Sequence, residues 1–129
     1  MFSHVMLGTN DLDASTTFYN ALLGALGGKP GFPDRNRVFW RHAGQTFCVT
    51  TPINGEPATV ANGFTLGFAA ESVEQANAAY EAALAAGGVA IEDPPGWRGN
   101  ETLRLYLAYL RDPAGNKVCL THRPAKTSS

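Results

Sequence analysis

The stretch Arg41-His42-Ala43-Gly44-Gln45-Thr46-Phe47-Cys48-Val49-Thr50 lies without a gap over Asp112-Pro113-Ala114-Gly115-Asn116-Lys117-Val118-Cys119-Leu120-Thr121, and that match decides the fold. Each half is a turn holding an Ala-Gly pair, followed by a strand with Cys at one position and Thr two residues on. Residues 37–40 and 104–110 supply the strands before the turns, so both segments read as β-hairpins. Further out, residues 4–7 and 64–68 read as short strands, each leading into a helix. Asp11 and Ser72 sit where helices start, with Gln75 three residues after Ser72, and the helices close at Gly27-Gly28 and Gly87-Gly88. A β-α-β-β(-β) unit therefore occurs twice, at about residues 1–55 and 62–124, with a Pro-, Gly- and Asn-containing linker at 52–62 and a tail at 125–129. The fold class is α+β.

Composition narrows the partners. The chain has 129 residues, room for one domain, with 44% hydrophobic and 16% charged residues. Lys plus Arg number 10 against 11 for Asp plus Glu, a net charge of −1, which leaves no basic field for nucleic acid and no polybasic stretch for an anionic membrane. No apolar run approaches the roughly 20 residues of a spanning helix, and the start Met1-Phe2-Ser3-His4 does not read as a secretion signal. Two cysteines, Cys48 and Cys119, make no disulfide framework and fit a reduced, cytoplasmic setting. A small-molecule ligand or substrate is the expected partner.

Strand alternation sorts the side chains. Val118, Leu120, Phe47 and Val49 are expected to pack on the helices. Lys117, Cys119 and Thr121 then take the other face, as do Thr46, Cys48 and Thr50. Carried into the preceding strands, the gapless match sets Arg37 and Phe39 opposite Ala108 and Leu110, and places Arg37, Phe39 and Tyr106 on that same second face. Its mixture of Cys, Thr, Arg and aromatic groups suits a pocket wall. Gly96-Trp97-Arg98-Gly99, after Pro94-Pro95, reads either as a surface turn or as a lid carrying an anion-binding Arg98. Trp40 and Trp97 are aromatic candidates for an interface between copies.

The duplicated pattern resembles the vicinal oxygen chelate superfamily, which includes glyoxalase I, extradiol dioxygenases and bleomycin-resistance proteins. The resemblance rests on residues 2–12 with Phe18-Tyr19 and Leu23-Gly24, on residues 63–68 with the following helix, and above all on Asp112-Pro113-Ala114-Gly115-Asn116 before the last strand. It implies two tandem βαβββ modules forming a half-open, U-shaped mixed sheet with helices on its outer face, and a homodimer. In metal-using members, four ligands from four strands hold a divalent ion that polarises substrate oxygens. Carried over residue by residue, those ligand positions fall on His4, Cys48, Phe64 or Thr65, and Cys119. The usual carboxylates are replaced by thiols, which departs from the glyoxalase pattern. Three readings stay open. A His4/Cys48/Cys119 set could hold a divalent metal, zinc first, for glyoxalase-like lyase, isomerase or dioxygenase-like chemistry. The pocket could instead bind or sequester a small molecule without metal, using Arg37, Phe39, Thr50, Arg98, Tyr106 and Thr121. Both cysteines could also be small apolar fillers.

Overall fold

The computed structural model describes residues 1–124; the tail expected at 125–129 lies outside the described residues. The first module runs β1 (His4–Gly8), α1 (Leu12–Ala25), β2 (Phe32–Asp34), β3 (Arg37–His42) and β4 (Gln45–Thr50). The second runs β5 (Leu66–Ala69), α2 (Val73–Ala85), β6 (Val89–Ala90), β7 (Gly96–Gly99), β8 (Arg104–Arg111) and β9 (Lys117–His122). The strands form two open sheets, β1-β4-β3-β2 and β5-β9-β8, with β7 and β6 both pairing β8. In each sheet the first strand pairs the last in parallel and the rest is antiparallel, so the α+β class and the duplicated mixed architecture hold.

Local chemistry starts and stops both helices. Asp11 Oδ1 accepts from Ala14 N at 3.0 Å, and Ser72 Oγ accepts from Gln75 N at 3.0 Å, satisfying first-turn amides that have no partner in the helix. Gln75 reaches back one residue beyond the cap, accepting from Glu71 N at 2.7 Å. Gly27 and Gly87 take φ of 95° and 107°, which lets Gly28 N and Gly88 N return to Leu23 O and Ala83 O at 2.8 and 2.9 Å. Between these caps, Phe18, Tyr19, Leu22 and Leu23 share the buried side of α1 and Ala76, Ala79, Tyr80 and Ala83 that of α2.

The helix-facing sides of both sheets drain into one core. Phe47, Val49, Val38 and Trp40 from the first sheet join Val118, Leu120, Ala108 and Leu110 from the second. The two helices pack on one another, and Tyr19 of α1 is fully buried in the core they share with the sheets. Its ring lies 4.7 Å from Phe47 and 6.1 Å from Phe68, so side chains of both modules meet on it. Trp40, expected as an interface residue, is buried instead, and its Nε1 donates to Asn20 Oδ1 at 2.9 Å, an acceptor that also takes Gly31 N at 2.8 Å.

One buried polar cluster ties the modules. Tyr19 Oη donates to Asp112 Oδ2 at 2.6 Å, and Asn116 Nδ2 donates to the same oxygen at 3.0 Å and to Gly8 O at 3.0 Å. Asp112 Oδ1 accepts from Ala114 N and Asn116 N at 2.9 and 2.8 Å. The turn between β8 and β9 therefore grips α1 and the end of β1. No helix among the described residues is long and apolar enough to cross a membrane.

Candidate functional site

Each sheet keeps one face turned away from the helices, called here its open face. On the first sheet, register places His4 and Met6 of β1 beside Thr46 and Cys48 of β4, and Phe39 and Arg37 of β3 beside Cys48 and Thr50. Phe32 of β2 stands next to Phe39, their rings stacked at 5.6 Å with 19° between planes. Arg37 Cζ lies 5.6 Å above the Phe39 ring. The sequence-derived residues Arg37, Phe39, Cys48 and Thr50 are thus brought together. The Thr50 hydroxyl serves its own turn, donating to Thr51 O at 2.8 Å.

On the second sheet the open face differs from expectation. Cys119 and Thr121 are on it, Sγ and Oγ1 3.4 Å apart. Tyr106 is not. It pairs with His122 on the helix side, is buried, and donates from Oη to Asn77 Oδ1 on α2 at 2.7 Å. The reason is turn length. Ala43-Gly44 closes the first hairpin as a two-residue turn, both residues at positive φ, whereas Asp112–Asn116 closes the second with five residues. Arg41 pairs Thr46 five residues on, but Arg111 pairs Lys117 six residues on. One extra residue reverses the parity of everything before it. Tyr109 and Leu107, which sequence reasoning passed over, hold the places of Phe39 and Arg37.

Arg98 also needs correction. Residues 96–99 are neither loop nor lid but strand β7, antiparallel to β8. The guanidinium is bound to four carbonyls, Leu107 O at 2.6 Å, Asp93 O at 2.9 Å, Pro94 O at 3.0 Å and Gly96 O at 3.4 Å. It is a clamp on the sheet edge that contributes fixed positive charge. Tyr109 lies between it and Lys117, with the cations 5.5 and 4.9 Å from the ring centre, and Lys117 pairs with Glu92. Trp97 points to the other face of the edge strand, 41% exposed, beside Tyr106 and under Arg104.

The donor set for a metal can be tested against this geometry. His4 is exposed and its Nδ1 is 2.7 Å from Ser3 Oγ. Cys48 Sγ donates to Val5 O at 3.3 Å. Burial raises the pKa of both thiols; nearby Arg37 partly offsets this for Cys48, as do the Thr121 hydrogen bond and Lys117 for Cys119, while Glu92 adds to the rise there. Register carries the third ligand position to Thr65, next before Leu66 on the strand that pairs β9. Among the described residues of one chain, no three His, Cys, Asp or Glu side chains converge. A metal is not matched by these residues within a single chain.

Two of the cavities among the described residues can be set against these side chains. One of about 410 Å³ is lined by Val60–Thr65 with Arg111 and Lys117, and the other, about 440 Å³, by residues of the β1 end and the linker. Neither is lined by Arg37, Phe39, Cys48 or Cys119.

The family model for the glyoxalase/bleomycin resistance protein/dioxygenase superfamily matches residues 1–120. The chain belongs to this superfamily. As a superfamily member it is similar to a glyoxalase/bleomycin resistance protein from Albidiferax ferrireducens T118, with 58% identity, a TM-score of 0.90, and coverage of 96% of this chain and 99% of that one. A glyoxalase-related enzyme from Fulvimarina pelagi shares the fold at 20% identity and a TM-score of 0.74, covering 100% of this chain and 92% of that one. A glyoxalase/bleomycin resistance protein/dioxygenase family enzyme from Burkholderia phytofirmans PsJN does so at 19% identity and 0.71, over 95% and 98%. No curated protein matches the chain.

Proposed function

We propose that this superfamily member binds a small molecule on the open faces of its sheets without a resident metal, as a sequestering or resistance-type protein, and does so as a homodimer. The observation that carries this reading is the Arg37–Phe39–Phe32 arrangement, a cation and two stacked rings on the face of the first sheet away from α1, the helix packed on that sheet among the described residues. A lyase or isomerase would need a free base beside the ligand. The open-face carboxylates Asp34 and Glu92 both face cations instead, burial disfavours the thiolate of either cysteine, and the His4 imidazole stands on β1, at the sheet edge opposite Phe32. Met6, 39% exposed on β1 at the edge away from Phe32, gives the open face of the first sheet apolar area for a second copy to cover.

Binding is tested by thermal-shift screening of a mixed panel of small neutral, cationic and anionic compounds, with elemental analysis of protein purified without an affinity tag. Ligand-dependent stabilisation of metal-free protein is expected. Stoichiometric zinc that disappears in a Cys48→Ala/Cys119→Ala variant would overturn this reading in favour of the His4/Cys48/Cys119 centre. Light scattering at micromolar concentration checks the homodimer, and a monomer would remove that part.

A further inference from the structure

Positive charge is gathered on the open faces. Arg37 and Arg41 stand on the first, and Arg98, Lys117 and Arg111 on the second, five of the chain's 10 basic residues. The acidic groups paired with them are Asp34 and Glu92. The chain as a whole carries a net charge of −1, so this local excess is a segregation of charge and not a reflection of composition.

Within that field Arg37 has an unmet need. Its Nε is buried and has no hydrogen-bond partner; the nearest carboxylate oxygen, Asp34 Oδ2, is 3.8 Å away, beyond hydrogen-bond reach. A buried donor without an acceptor marks a guanidinium not saturated by the protein, and the side chain as a whole is 33% exposed, so an incoming oxygen meets it on its solvent-facing side. Beside it the Phe32–Phe39 stack ends at an exposed ring, a surface that a further flat ring extends with offset stacking. A guanidinium offers parallel N–H groups that match the two oxygens of a carboxylate.

We infer that the ligand is an aromatic carboxylate, its carboxylate on Arg37 and its ring on the Phe32–Phe39 stack. This rests on the small-molecule-binding reading above and names the class that the site takes. The cations around Tyr109 give the second sheet's open face the same sign, so both faces favour an anion.

The test is titration calorimetry with four probes, benzoate, benzamide, benzylammonium and acetate, against the full-length protein. Benzoate is expected to bind tightest, to weaken as salt is added, and to lose roughly ten-fold or more in affinity in Arg37→Gln. Arg37→Lys should fall between the two, because it keeps the charge and loses the fork. Phe39→Leu should bring benzoate down toward acetate. Arg35→Gln, at an exposed neighbour, should bind as the parent does. Benzamide or benzylammonium binding as tightly as benzoate would overturn the inference while leaving the small-molecule reading standing, and so would benzoate affinity unchanged in folded Arg37→Gln. Silence from all four probes would overturn it too, and the wider thermal-shift panel then decides the broader reading separately.

Discussion

Replacing Tyr19 by Phe removes one oxygen atom from the centre of the molecule and tests what joins the modules. The ring stays, and with it the packing on Phe18, Trp40, Phe47 and Phe68. What goes is the 2.6 Å bond to Asp112 Oδ2, made between a fully buried phenol and a carboxylate 2% exposed. Hydrogen bonds to a charged group contribute about 1.5–3 kcal/mol, and here the oxygen left behind keeps only Asn116 Nδ2. The expected loss is about 2 kcal/mol, equivalent to a fall in Tm of roughly 6–12 °C for a domain of this size. Urea unfolding at pH 7 measures it, with calorimetry as the second probe. Asp112→Asn and the double variant complete a cycle, for which a coupling of about 1–2 kcal/mol is expected. A loss below about 0.5 kcal/mol with unchanged denaturant dependence, or an additive cycle, would refute the idea that this bond holds the modules together.

Other outcomes follow from groups described above. Asn20→Ala strands the Gly31 N–H and Trp40 Nε1–H and should cost about 2–3 kcal/mol in urea unfolding; a loss within 0.5 kcal/mol of zero, on that approximate scale, contradicts the pairing. Arg98→Lys cannot reach four carbonyls at once, so amide exchange at Gly96–Gly99 should speed up and stability fall by about 1–2 kcal/mol; unchanged exchange would return Arg98 to the role of a free anion binder. Alkaline pH should destabilise the fold. The folded pKa values of Cys48, Cys119 and Tyr19 are all raised, chiefly by burial, so the unfolded chain releases these protons first. Their contribution is whole below the unfolded thiol pKa of about 8.5 and is lost as pH rises toward the folded values, the phenol joining above about 10. Cys48→Ala/Cys119→Ala should flatten the first part of that decline and Tyr19→Phe the second; identical pH profiles would count against both assignments.

Much of this was legible in the residues. Asp11, Ser72 and the paired glycines mark helix ends because capping is local chemistry, and the structure places those ends as read. The β3–β4 and β8–β9 hairpins were visible in the gapless match, and so were Cys48 and Cys119 at corresponding positions. Tyr106 and Tyr109 were exchanged because an alignment matches letters, while a sheet face depends on which residues pair across a turn. The five residues from Asp112 to Asn116, set against Ala43-Gly44, carried the signal. The Arg98 clamp could not be foreseen, since its four acceptors are backbone carbonyls that carry no residue identity. Trp40 gave a similar lesson, because an indole with a partner such as Asn20 Oδ1 is as suited to a core as to an interface.

The Tyr19–Asp112 and Asn116–Gly8 bonds span 93 and 108 residues of chain, further than any pairing within a sheet. Contacts of that reach demand the most loop closure and are rewarded late. Each module's hairpin and helix can therefore order before the two are fastened, and the fastening belongs to the native side of the folding barrier. On that view Tyr19→Phe accelerates unfolding and leaves the refolding rate nearly unchanged in stopped-flow kinetics, whereas a slowed refolding limb would place the latch in the nucleus itself. A protein built this way keeps its two halves together by a slow exit more than by a fast entry.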